Sequence, residues 1–186
     1  VEAVQKLLLG VRKEPNDSGI IDTVLKGFTS GVGLNYDRAI FFEYSNEQGC
    51  LVGSGIRKNR NILKEDKLSS FDLRYETMKE IVPLIKIKND DNLFHKAISE
   101  KKIIFQNIRG YKIYLGSELL MGFGLNNFMI LPIFNGNKNV GCILVDNYIS
   151  GRRIELEDVE LFNVILLNVG IHYENRQIGM EKIISE

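Results

Sequence analysis

Side chains that commonly carry chemistry are few in this sequence and lie far apart. The only two cysteines, Cys50 and Cys142, show no CxxC or Cys/His spacing, which argues against a zinc site and against a disulfide framework. Cys142 lies within the apolar run VGCILV and Cys50 follows a turn, so we interpret both as small structural hydrophobic residues. His95 and His172 lie on separate predicted helices, and we interpret them as surface or core-boundary residues. The sequence therefore predicts no catalytic residue, no metal site and no cofactor.

Asp146 is the most prominent carboxylate because it lies near the end of the densest pattern in the chain, MILPIFNGNKNVGCILVDN at 129–147. The segments FMILPIF and VGCILVDNY are strand-like, and NGNKN between them consists of turn formers, which predicts a β-hairpin. Pro132 lies inside the first strand and has no N–H, so we expect an edge position, a bulge or an unpaired face there. A carboxylate at the end of the second strand can accept hydrogen bonds from the following loop, NYISGRR.

Size and charge set simple limits on the protein. The 186 residues fit one domain, and 24 basic against 24 acidic residues create no field that would attract nucleic acid or a membrane. With no apolar run of ~18 residues and no signal peptide, we expect a soluble, cytoplasmic protein. Because the chain begins with Val1, we expect a segment of a longer protein. It would comprise a helical lead-in at 1–15, a core at 16–175 and a helical extension at 176–186 toward an absent output domain.

Hydrophobic periodicity predicts most of the remaining elements. A helix is expected from Asp17 or Ser18, ending before Gly31. Strands are expected at 39–44 and 50–56, joined by the turn SNEQG. Further along, we expect a helix that ends or kinks at a proline in EIVPL, a short helix in NLFHKAISEKK and a brief strand in IIF. Periodicity does not resolve the glycine-rich segment that follows, and long irregular segments are often functional.

The C-terminal helix carries apolar residues on two sides. One row follows a three-four repeat and consists of Val159, Phe162, Leu166, Val169, Tyr173, Met180 and Ile183. A second set lies roughly opposite and consists of Leu156, Val164, Leu167, Ile171 and Ile178. A helix that is apolar on two sides must be buried on both. The N-terminal helix or a second copy of the chain can cover the additional side; we favour a dimer and assign the three-four row to its interface.

The order of these elements resembles the GAF domain family of small-molecule-sensing modules. Three segments carry the resemblance: GLNYDRAIFFEYSNEQGCLVG, FMILPIFNGNKNVGCILVDN and EDVELFNVILLNVGIHYENRQI. The resemblance implies an α+β fold with a five- or six-stranded antiparallel sheet. It places the N- and C-terminal helices on one face and a variable, pocket-forming segment on the other. In such domains the hairpin that ends at Asp146 is structural.

The resemblance also implies a function. We expect a non-catalytic sensory domain of a signal-transduction protein, such as a sensor histidine kinase of a two-component system, that binds an unidentified small molecule. The ligand candidates are polar and aromatic residues around the unresolved segment: Tyr75, Asn107, Arg109, Tyr111 and Tyr114. Arg109 can form a two-pronged pair with an anionic ligand. The cyclic-nucleotide, bilin and haem signatures of related domains are not found in the sequence.

Two alternative functions remain from the sequence. The first is a constitutive dimerisation module whose pocket is filled by its own side chains. The second is a redox enzyme of the free-methionine sulfoxide reductase type, which needs a thiol of low pKa and a second thiol to resolve it. Neither Cys50 nor Cys142 lies where the thiols of that enzyme group lie, and neither has a neighbouring histidine.

Overall fold

The chain begins and ends with helices, and the strands lie between them in the sequence. The computed structural model describes residues 2–30, 34–59, 79–80, 82–88, 92–109, 111–113 and 123–185. The helices are α1 (Glu2–Lys13), α2 (Asp17–Thr29), α3 (Leu93–Glu100) and α4 (Leu156–Ser185), with a 3-10 turn at Val82–Leu84. The strands are β1 (Arg38–Ser45), β2 (Cys50–Lys58), β3 (Lys86–Ile87), β4 (Ile104–Gln106), β5 (Tyr111–Ile113), β6 (Phe123–Leu125), β7 (Phe128–Asn135) and β8 (Lys138–Asp146).

Within the described ranges, six strands form one antiparallel sheet in the order β3-β2-β1-β8-β7-β4. The pairs β1–β2 and β7–β8 are the two predicted hairpins, and the pairing of β1 with β8 joins them at the centre. This register aligns Arg38 with Asp146 and Asp146 with Phe128. Strand β4 pairs with β7 only as far as Ile130, so beyond it the described part of β7 has a strand partner on the β8 side alone. Of the three alternatives expected for Pro132, the described ranges show an unpaired side of the strand at this residue.

Asparagine caps fix the starts of two helices. The Asn16 side-chain oxygen accepts the backbone N–H of Gly19 at 2.8 Å, and α2 thus begins at one of the two predicted positions. Asn92 accepts the N–H of His95 at 2.8 Å in the same way and starts α3. Helix α3 ends at Lys101, which takes a left-handed conformation with φ 51°. Local capping therefore defines the helices that flank the sheet.

Side chains of the sheet alternate between two apolar layers. Ala39 and Phe41 of β1 point toward α1, α2 and α4, whereas Ile40 and Phe42 point to the opposite side. The terminal helices thus cover one face of the sheet, as predicted. The opposite layer is closed by Phe94 and Ala97 of α3, by Val82 of the 3-10 turn and the adjacent Ile85, by Ile87 of β3 and by Leu125 at the end of β6.

Helix α4 packs on the sheet with the side that we had assigned to a dimer. Phe162, Leu166, Val169 and Tyr173 are at most 7% exposed and belong to the core of this chain, and Val159 packs against it. The predicted dimer interface is therefore wrong for these residues, because their side chains are already buried against their own sheet. The side chains of Met180 and Ile183 lie outside the described residues. The exposed side is the second set, with Leu156, Val164, Leu167 and Ile171 at 62, 50, 65 and 49%.

The middle of the chain contains structure that periodicity did not predict. Strands β5 and β6 pair as a separate antiparallel ribbon within the segment that had been left unresolved. The helix predicted before Pro83 falls mainly on residues outside the described ranges. Within the described residues, no helix combines the length and the apolar character needed to cross a membrane.

Candidate functional site

The sheet face opposite the terminal helices is the one on which the family resemblance places a ligand pocket. Its described floor consists of apolar side chains that are at most 2% exposed, namely Ile40, Phe42, Ile130, Cys142 and Leu144. Phe42 contacts Phe94 of α3 edge-to-face, with ring centroids 5.4 Å apart. The described part of this face is therefore closely packed.

A buried ion pair lies on this same face. Arg38 shares the strand alternation of Ile40 and Phe42, and its guanidinium donates to both oxygens of Asp146, with Nε–Oδ1 at 2.9 Å and Nη2–Oδ2 at 2.5 Å. The Arg38 guanidinium also lies 4.4 Å from the ring centroid of Tyr148. Burial raises the pKa of Asp146, and the positive charge of Arg38 opposes this shift. The pair is a fixed dipole at the margin of an apolar surface.

The loop after β8 is held by Asp37 and not by Asp146. One oxygen of Asp37 accepts the backbone N–H groups of Ile149 and Ser150, at 2.7 and 2.6 Å. The side chain is 1% exposed; burial raises its pKa, while these two hydrogen bonds oppose the change. We expected Asp146 to hold the loop NYISGRR, and this expectation is wrong: Asp37 holds the loop, whereas the side chain of Asp146 binds Arg38. The structural role of Asp146 remains.

Asparagine amides complete this end of the sheet. Asn107 donates to the carbonyl of Ile154 at 3.0 Å and accepts the N–H of the same residue at 2.8 Å. Asn127 donates to the carbonyl of Gly151 at 2.8 Å, and Asn147 donates to that of Arg152 at 2.9 Å. These bonds fix the segment that leads into α4.

The five predicted ligand residues are not gathered into one described site. Asn107 holds the backbone before α4, which is a positioning role, and its predicted ligand contact stays a prediction. Arg109 is exposed and lies near Gly151, and Tyr111 begins β5 with a side chain outside the described set. Tyr75 and Tyr114 lie outside the described residues, so their predicted role stays a prediction.

Sequence reasoning missed Asp37 and Arg38. A signal for the ion pair was present in the strand alternation: Arg38 is in step with Ile40 and Phe42, and Asp146 is in step with Leu144. Two opposite charges, each on the apolar side of its own strand, are best accommodated when the strands pair and the charges meet. The contacts of Asp37 depend on the fold of a loop, which no short-range pattern reveals.

The two cysteines lie in different parts of the sheet. Cys142 pairs with Phe42, while Cys50 pairs with Ser45 on the far side of β1, which puts their Cα atoms roughly 14 Å apart from standard strand spacings. Alternation also places Cys50 on the face opposite to Leu51, whereas Cys142 shares the layer of Leu51. Burial raises the pKa of the Cys142 thiol, which disfavours a reactive thiolate. In this arrangement the two thiols cannot form a disulfide with each other.

No protein-family model matches the sequence, and no curated protein matches it. Solved structures nevertheless match its fold. The GAF domain of a phosphoenolpyruvate-protein phosphotransferase from Coxiella burnetii superposes with a TM-score of 0.69 at 11% identity, covering 97% of this chain and 95% of that one. Residues 122 to 287 of a methyl-accepting chemotaxis protein superpose with a TM-score of 0.67 at 12% identity, covering 92% of this chain and 97% of that one.

An enzyme is among the similar structures as well. The free methionine-R-sulfoxide reductase from Neisseria meningitidis, solved in complex with its substrate, superposes with a TM-score of 0.64 at 12% identity, covering 96% of this chain and 90% of that one. The chain thus has the GAF domain fold. At these identities the likeness concerns the fold alone, because one fold hosts many functions.

Proposed function

We propose that this chain is the cytoplasmic sensory domain of a larger signal-transduction protein, in which a small ligand shifts the packing of α4 at an interface between two copies. The fold supports a sensory role, since it also occurs in a chemotaxis protein and in a phosphotransferase. Burial raises the pKa of the Cys142 thiol, and Cys50 lies far from it in the described structure. Both observations favour a non-catalytic role over a redox enzyme.

The observation that carries the proposal is the exposed apolar stripe on α4, formed by Leu156, Val164, Leu167 and Ile171. Because each of these side chains is already partly buried, moving it fully out of water would gain roughly 1–2 kcal/mol. Leu167 also lines a cleft of about 220 Å³ with Pro132 and Phe134, so the stripe borders a concave surface. A second copy, which presents the same stripe, is the partner we assign to it.

A ligand can change the packing of α4 only if it binds two arrangements of the domain with different affinities. A ligand that binds one arrangement of the domain ~100-fold more tightly shifts the equilibrium by about 2.7 kcal/mol. That amount is comparable to completing the burial of about two side chains of the stripe. A ligand could therefore change how two copies of α4 pack, and an output domain attached to the helix would respond.

The dimer is tested by charging its proposed interface. Leu167→Glu should convert dimers of the chain to monomers in sedimentation equilibrium, because an ionised carboxylate at a buried contact is strongly unfavourable. Ile108→Glu is the matched control, since Ile108 is also a half-exposed aliphatic residue but lies outside α4. A wild-type chain that stays monomeric at the highest accessible concentration would remove the dimer from the proposal.

Ligand binding is tested with a metabolite library read out by thermal shift. If the ligand is anionic and Arg109 contacts it, Arg109→Ala should weaken binding roughly tenfold or more. Arg153→Ala is the matched control, as Arg153 is likewise exposed and precedes α4. A hit with the same affinity for both variants and the wild type would remove Arg109 from the ligand site.

A second candidate function is a constitutive dimerisation module. The complete burial of Phe128 on the apolar face favours it, because this candidate expects Tyr or Phe residues of 105–128 to fill the pocket. The two candidates differ in one measurement: the sensory domain should change its dimer affinity when a library hit is added, and the constitutive module should not.

A further inference from the structure

Strand β2 contains a run of small residues, Gly53-Ser54-Gly55, in the middle of an apolar sheet. A β-bulge lies there, since Phe41 pairs with Gly55 while Phe42 pairs with Gly53, and Ser54 is left out of register. Bulges are common next to functional sites. A Cβ added at Gly55 would meet one neighbour, the Leu25 side chain at 3.4 Å, so this glycine opens space on the α2 side.

The space beside Gly55 is a cleft of about 350 Å³ between α2, β1, β2 and α4. Its floor is apolar and aromatic. Leu25 lines it from α2, and Phe41 and Tyr173 line it with ring centroids 6.5 Å apart. A cleft of this volume is within the range of small-molecule sites.

Two carboxylates line this cleft, and they differ in whether a cationic side chain pairs with them. Asp22 accepts a hydrogen bond from Arg57 Nε at 3.0 Å, so its charge is matched by a guanidinium. Glu43 accepts the Tyr173 hydroxyl through Oε1 at 2.6 Å, and among the described residues no cationic side chain forms an ion pair with it. The cleft therefore combines an aromatic surface with a carboxylate whose charge has no ionic partner in the described part of the chain.

We propose that this cleft binds a small organic cation, with an ammonium group on Glu43 and an apolar body against Leu25, Phe41 and Tyr173. An anion would be repelled by Glu43, whereas an ammonium group gains both from Glu43 and from the aromatic rings. Such a ligand would contact α2 and α4 at once. The site lies on the helix-covered side of the sheet and is separate from the apolar face discussed above.

The test uses phenethylamine as the probe and 2-phenylethanol as a neutral probe of the same shape. In isothermal titration calorimetry with the whole chain, the amine should bind at one site and the alcohol at least roughly tenfold more weakly, which is the usual effect of one charge-assisted contact. The backbone amide NMR signals of Asp22, Glu43 and Gly55 should shift with the amine.

Two variants that remove the same charge identify the carboxylate. Glu43→Gln should weaken the amine roughly tenfold and make the amine and the alcohol bind alike. Glu47→Gln, in the exposed turn between β1 and β2, should leave both affinities unchanged. Equal binding of the two probes to the wild type, absence of saturable amine binding, or unchanged binding by Glu43→Gln would overturn the proposal.

A third variant tests the space independently of the charge. Gly55→Val fills the cleft from β2 and should abolish binding of both probes, even if Glu43→Gln does not fold. Binding that survives Gly55→Val, or NMR shifts at Ile130 and Leu144 on the opposite face, would place the probe elsewhere and overturn this proposal. The sensory function proposed above would be unaffected by that outcome.

Discussion

Both sides of helix α4 carry large apolar residues in sequence, but the two sides lie in opposite environments. On one side, Phe162 and Val169 are at most 1% exposed; on the other, Leu156 and Leu167 are more than 60% exposed. Hydrophobicity alone does not decide which side packs, because both sides offer large aliphatic residues. The difference between them is in shape and in polar partners.

The buried side fits the sheet in three specific ways. Phe162 meets Phe28 edge-to-face with centroids 4.9 Å apart. Gly170 has no side chain where the helix crosses the carbonyl of Phe134. Tyr173 finds a hydrogen-bond acceptor in Glu43. Each feature can be removed singly, and the expected effects differ in size.

The largest effect is expected from Phe162→Ala, which empties a fully enclosed ring site. Loss of the ring and the cavity left behind should lower the free energy of unfolding by about 3–5 kcal/mol. Urea denaturation followed by circular dichroism measures the change. A loss below about 1 kcal/mol would mean that α4 is not anchored by this side, since exposed sites change stability by no more than that.

Gly170→Ala should cause the next largest change in the free energy of unfolding. Whether this variant is stabilised or destabilised is the informative result. Alanine favours a helix by about 1 kcal/mol over glycine, yet its Cβ would overlap the carbonyl oxygen of Phe134. We expect a net loss of about 1–3 kcal/mol in thermal or urea unfolding. The control is Gly10→Ala in α1, where the added Cβ meets the Thr23 methyl at 3.1 Å and no backbone carbonyl. A stabilised Gly170→Ala variant would show that the helix does not approach β7 so closely.

Tyr173→Phe removes one hydroxyl and keeps the ring. The lost hydrogen bond to the half-buried Glu43 should cost about 1.5 kcal/mol, the lower end for a bond to a charged group, because Glu43 can recover water. A double-mutant cycle with Glu43→Ala isolates the pair in urea unfolding, because alanine leaves no side-chain acceptor for the hydroxyl. Additive effects of the two changes would argue that the hydroxyl and the carboxylate do not interact.

The smallest effect on folding is expected from Leu167→Ala. Because the side chain is 65% exposed, truncating it removes few contacts. The free energy of unfolding of the dilute chain should change by no more than about 0.5 kcal/mol. At high protein concentration the same variant should associate more weakly, if the stripe forms the proposed interface. A large loss of stability in dilute solution would show that Leu167 packs within its own chain.

Much of the fold could be predicted from short-range patterns. The two hairpins combine period-two alternation with turn formers, and the start of α2 carries a clear cap, Asn16. The orientation of α4 could not be predicted in this way. A helical period fixes the angles between residues but not which direction faces the sheet. Glu160 and Asn163, which share the sector of Leu156 and Leu167, were the available sign that this side meets water.

The candidate sites were harder to predict than the fold. Strands β5 and β6 are three residues each, too short for a periodic signal. Asn107 was singled out as a ligand residue because of its type, but an amide in a loop is equally suited to hold backbone, which is what it does. The cleft beside Gly55 is formed where α2 and α4 pack next to the bulge of β2. Its shape depends on how these elements pack together, which no short-range sequence pattern specifies.

Helix α4 continues for residues 174–185 after Tyr173, its last buried side chain in the described set. At the usual rise per residue this stretch is about 18 Å long. A stiff rod of that length works as a lever: tilting it by about 10° about Tyr173 displaces its far end by about 3 Å. Anything that binds against the ring of Tyr173, as a ligand beside Gly55 would, therefore acts close to the pivot, where a small displacement becomes a larger one at the far end of the helix.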